Sequence, residues 1–74
     1  MTTIITYEEM KNLYSEFKKN PPEDEFEKYY QEYSYAKSLI EFAKNQRLDK
    51  DVLEYEKVQK NAMEELKKLG YKFI

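Results

Sequence analysis

The feature that most constrains this chain is how little can break a helix in it. Its one glycine and two prolines fall at two places, Pro21-Pro22 and Gly70, in a sequence of 74 residues. Little of such a chain can be turn or loop. The stretch from residue 23 to residue 69 contains neither residue type, and its one break signal is the polar cluster around Asn45 to Asp49. The punctuation alone divides the chain into three segments, each with helical spacing.

Thr6 opens the first segment. Its hydroxyl can cap the first turn, with Glu9 three residues on as in a capping box, and Ile5 and Met10 stand as a hydrophobic staple. Tyr7, Met10, Leu13, Tyr14 and Phe17 form one apolar stripe. Lys18 and Lys19 suit the negative helix end, and Pro21 drives Asn20 out of helical geometry, so helix 1 is predicted over 7–19. Proline also suits a first helical turn. With Glu23, Asp24 and Glu25 favouring the positive dipole end, helix 2 is predicted over 22–45. It carries a seam at Phe26, Tyr29, Tyr33, Ala36, Ile40 and Ala43. A second stripe, Tyr35, Leu39 and Phe42, is rotated from the first by about 100°. Asp49 is the expected N-cap of helix 3, predicted over 50–69 with Val52, Tyr55, Val58, Ala62, Leu66 and Leu69 inward. Glu56 with Lys60 and Glu64 with Lys68 are favourable i,i+4 pairs, and Gly70 is the expected C′ residue. Together with short extended segments at 2–6 and 71–74, this predicts an all-α antiparallel three-helix bundle, one domain over 1–74.

Size and composition narrow the function class. A chain this short buries only about 60% of the surface its unfolded form exposes. There is no Cys and no His, which removes disulfides, thiolate or imidazole metal sites, and the usual general base and nucleophile. Carboxylates remain, but the acidic run lacks the alternating ligands and glycine of a calcium loop. No phosphate-binding or nucleophile-elbow motif occurs, so the chain is read as a non-enzyme with no cofactor and no metal. A net charge of −2 disfavours nucleic acid as a partner. Apolar runs such as Leu39-Ile40 are far too short to span a membrane, and the opening residues lack a signal-peptide pattern; a cytoplasmic setting is expected.

Two surfaces stand out as candidates for binding. Short links make sequential helices antiparallel neighbours, and helix 1, about 20 Å long, is expected over the N-terminal half of helix 2, near Phe26, Tyr30 and Tyr33. The arc at Tyr35, Leu39 and Phe42 is then under-covered. Tyr30, Tyr35, Leu39 and Phe42 are accordingly the predicted partner or dimer interface. A two-fold axis would also bring opposite chain ends together, and a homodimer is expected on that ground. The sequence reads as a small protein-binding accessory module of bacterial or phage type. The alternative rests on Glu23, Asp24, Glu25 and Glu27. Residues 20–34 hold five acids against Lys28 alone, which would suit an acidic inhibitor or nucleic-acid mimic docking into a basic groove. The plainer reading of that run is charge complementing a helix start. The basic residues around the second link, Lys44, Arg47 and Lys50 among them, are interleaved with acids.

Overall fold

The computed structural model describes residues 5–73. Three helices, α1 (Tyr7–Lys19), α2 (Glu25–Asn45) and α3 (Asp49–Lys68), follow one another, and no strand occurs among the described residues. The all-α three-helix bundle is the observed architecture. Most of the N-terminal extended segment, and residue 74, lie outside the described residues.

The caps explain the boundaries. Thr6 Oγ1 accepts the Glu9 amide at 3.1 Å and opens α1 where predicted. α2 begins at Glu25, three residues later than predicted, because Asp24 is its N-cap and accepts the Glu27 amide at 2.9 Å. Pro21 and Pro22 therefore belong to the link. At the other end of α2 the Leu48 amide donates to Ala43 O at 2.9 Å and the Arg47 amide to Lys44 O at 3.1 Å. That pair of bonds is a Schellman closure, with Arg47 as the left-handed residue at φ 57°. It draws Leu48 into the N-cap position of α3 and puts Asp49, the expected cap, inside the first turn. The same closure ends α3. The Tyr71 amide reaches Leu66 O at 2.9 Å and the Gly70 amide reaches Lys67 O at 3.0 Å, with Gly70 at φ 94°.

α2 and α3 pack as an antiparallel pair. Ala36 and Ala43 on α2 and Ala62 on α3 are wholly buried, and small side chains allow two helices to approach closely. α1 then lies on the half of this hairpin nearest the α2–α3 link. Tyr7 stacks on Phe42 with ring centroids 6.0 Å apart, and Tyr14 and Phe17 meet Tyr35 at 6.0 and 5.4 Å. Rising numbers in α1 against falling numbers in α2 make this pair antiparallel too. No Cα of α1 comes within 8 Å of one in α3. Side-chain tips make that contact: Tyr14 meets Tyr55 edge-on at 6.3 Å, and the Tyr7 hydroxyl donates to Asp51 Oδ2 at 2.9 Å.

This placement corrects the expected one, in which α1 covered the N-terminal half of α2. The late start of α2 leaves residues 20–24 outside any helix. Five extended residues can span about 17 Å, enough for α1 to reach Phe42. The N-terminal half of α2 is covered instead by the tail beyond Gly70. Three stripe positions also turn outward: Leu13 is 44% exposed, Leu69 43% and Phe26 37%. The core is correspondingly small. Leu39 and Leu66 are the largest fully buried side chains, and no polar residue is buried among those described.

Candidate functional site

The four residues predicted as an interface divide into two groups. Leu39 is fully buried within the single chain. It belongs to a core cluster with Tyr7, Tyr14, Phe17 and Ala43, against which Tyr35 and Phe42 pack half-buried. The arc expected to need a second chain is covered by α1. Leu39→Asp, which the sequence reading would suggest as a binding probe, would put a carboxylate into this core, and an isolated buried charge is strongly destabilising. Tyr30 lies elsewhere. It is 43% exposed and stands with the tail at the opposite end of the bundle.

That end is built by α2 and the tail together. The left-handed turn at Gly70 sends Tyr71 and Phe73 back over the first turns of α2. Tyr71 sits 5.6 Å from Phe26 and 6.0 Å from Tyr30, ring centre to ring centre. Phe26 stacks on Tyr30 at 6.0 Å. Phe73 packs on Tyr33 at 5.3 Å and on Tyr71 at 4.7 Å. These separations and tilted or edge-on angles are those of favourable aromatic pairs. The cluster is not closed: Phe26 remains 37% exposed, beside Tyr30. Sequence reasoning read the tail as a short extended segment and did not bring it to this place. The signal was present in Gly70, whose C′ geometry reverses the chain, followed directly by two aromatic residues.

The acidic run borders the same cluster. Glu23, Asp24, Glu25 and Glu27 are all exposed, and Asp24 is engaged as the α2 cap. The last turn of α3 and the tail bring Lys67, Lys68 and Lys72 to this end. Lys68 pairs with Glu65 at 3.3 Å, not with Glu64 as the i,i+4 spacing suggested. Among the described residues the other ion pair is Lys11 with Glu8, at 3.6 Å. The end face is thus a half-exposed aromatic patch with an acidic sector from α2 and a basic sector from α3 and the tail.

A second concavity lies between α1 and α2. It has a volume of about 250 Å³ and is lined by Met10, Leu13, Gln31, Ser34, Tyr35 and Ser38. Its lining supplies thioether, aliphatic, phenol, amide and hydroxyl groups. Among the described residues no three acids converge to hold a metal ion.

Perturbed titrations concentrate where α1 docks. Burial, followed by the hydrogen bond to Asp51, raises the Tyr7 hydroxyl well above the ordinary tyrosine value. Burial and the nearby Glu32 carboxylate push Tyr14 up to about 12. Burial raises Tyr55 as well, against a lowering contribution from Tyr7. Glu32 is raised by burial, with Lys28 and Lys18 opposing. Each of these shifts favours the neutral form of a group at least partly shielded from water, which is what packing of α1 onto the hairpin produces. No described helix is long and apolar enough to cross a membrane. Comparison of the chain with protein-family models, with curated proteins and with solved structures finds no match.

Proposed function

We propose that this protein is a non-enzymatic protein-binding module and that its contact surface is the aromatic end face. One observation carries the reading. Phe26 and Tyr30 stay substantially exposed within one contiguous aromatic cluster completed by Tyr71 and Phe73, whereas the other exposed large apolar side chains, Leu13, Leu48 and Leu53 among them, are aliphatic and lie outside that cluster. Aromatic residues that combine apolar area with a polar tip are the ones that anchor protein interfaces. Flanking charges of both signs suit a protein surface better than the uniformly basic groove that nucleic-acid mimicry would require. A cytoplasmic setting belongs to the same proposal, supported by the lack of cysteine.

Affinity capture from the native host with mass spectrometry, comparing the native chain with Tyr30→Ser, tests the reading. Binding should fall about tenfold or more in the variant, as for loss of an interface anchor. Equal capture by both chains would reject the end face as the contact surface. Glu25→Lys/Glu27→Lys addresses mimicry without touching the Asp24 cap. Loss of binding in that variant with Tyr30→Ser unaffected would favour the acidic reading instead.

A further inference from the structure

We infer that the occupant of the end face is a second copy of this chain, packed about a two-fold axis near Phe26 and Tyr30. The inference rests on the reading of that face as a binding surface and adds the identity of what binds. A two-fold contact demands self-complementarity, because each sector of one copy meets a different sector of the other. The end face has the required division. Glu23, Glu25 and Glu27 lie at the start of α2, and Lys67 and Lys72 lie on the last turn of α3 and on the tail. Tyr71, next to Lys72, rests 5.6 Å from Phe26, which stands between Glu25 and Glu27. Chain adjacency thus brings exposed charges of both signs to the margins of one aromatic patch. Among the described residues, none of these five charges takes part in an ion pair. Turning a second copy about the patch sets the acids of each against the lysines of the other and covers Phe26 and Tyr30 of both.

The patch is small, so the contact belongs with weak, transient interfaces burying less than about 1,200 Å² in total. A dissociation constant of roughly 10–100 μM is expected for such a contact, strengthened at low ionic strength because rim charges are screened by salt.

Sedimentation equilibrium on the whole chain tests this. The native protein should show a reversible monomer–dimer equilibrium that weakens about tenfold or more between about 50 and about 500 mM NaCl. Glu23→Lys/Glu25→Lys/Glu27→Lys and Lys67→Glu/Lys72→Glu should each be monomeric alone. An equimolar mixture of the two should form a heterodimer, because every reversed sector then meets its opposite. Circular dichroism checks that both charge variants stay folded. Tyr30→Ser, an exposed change outside the core, should lower self-association about tenfold or more. A native chain that stays monomeric at about 0.5 mM and low salt overturns the inference. So does a mixture that associates no more than its components, or a dimer indifferent to Tyr30→Ser. If the chain is monomeric but Tyr30-dependent capture of another protein persists, this inference fails while the binding-module reading stands.

Discussion

Arg47 carries a backbone conformation that its side chain disfavours. At φ 57° its Cβ crowds the following carbonyl, a cost of roughly 1–2 kcal/mol for an L-residue. The two amide bonds of the α2 closure hold it there. Arg47→Gly removes the crowding and returns part of the gain as unfolded-state entropy. The variant should be more stable by about 0.5–1 kcal/mol, seen as a higher urea midpoint at unchanged slope; an unchanged or lower midpoint would contradict the account. Gly70 occupies the equivalent position after α3, and there the residue type announced the turn. At Arg47 nothing in the residue type does. Leu39 was misplaced for a different reason. Helical spacing identifies which residues share a face, but burial of that face depends on where a neighbouring helix lands.

At the level of elements, the number and order of the helices, and their extents apart from the start of α2, were legible from Thr6, Pro21-Pro22, the polar cluster around Asn45 to Asp49 and Gly70, and from the 3- and 4-residue steps between them. The exchange of covers along α2 was not. α1 was expected over Phe26, Tyr30 and Tyr33, and the tail does that work; α1 covers Tyr35, Leu39 and Phe42. The cause is the length of the link, fixed by Asp24 capping Glu27 rather than by the prolines. A chain ending at Gly70 isolates the tail's contribution. It loses the Tyr71 and Phe73 rings from three partners on α2 and should be less stable by about 2 kcal/mol. In a domain of this size that corresponds to a melting temperature lower by about 10 °C, measurable by circular dichroism. An unchanged melting temperature would mean that the tail does not hold the α2 start.

For the whole molecule, the tyrosines packed between α1 and α3 predict how stability responds to alkali. Tyr7, Tyr14 and Tyr55 all keep their protons above the ordinary value of 10.0. Between the unfolded and folded values the native state binds more protons than the unfolded chain, so stability falls as pH rises. The contribution is complete below pH 10 and is lost progressively above it. The slope has a ceiling of about 1.4 kcal/mol per pH unit for each tyrosine. Urea midpoints at a series of pH values should decline above about pH 10, and Tyr7→Phe should make that decline shallower. A midpoint independent of pH through this range would show that the docked rings ionise freely. The composition could not have located this behaviour. Eight tyrosines are visible in the sequence, but which of them lie under α1 follows from the link.

α1 and the two later helices are not held in the same way. α2 and α3 meet along buried alanines, whereas no Cα of α1 comes within 8 Å of one in α3 and side chains such as Tyr7 and Tyr14 make that contact. Opening of α1 about residues 20–24 with the hairpin intact would expose Tyr7, Tyr14 and Phe17, and the α1 amides are expected to exchange with solvent deuterium before those of α2 and α3. The end face, assembled at the far end from α2 and the tail, should outlast that opening.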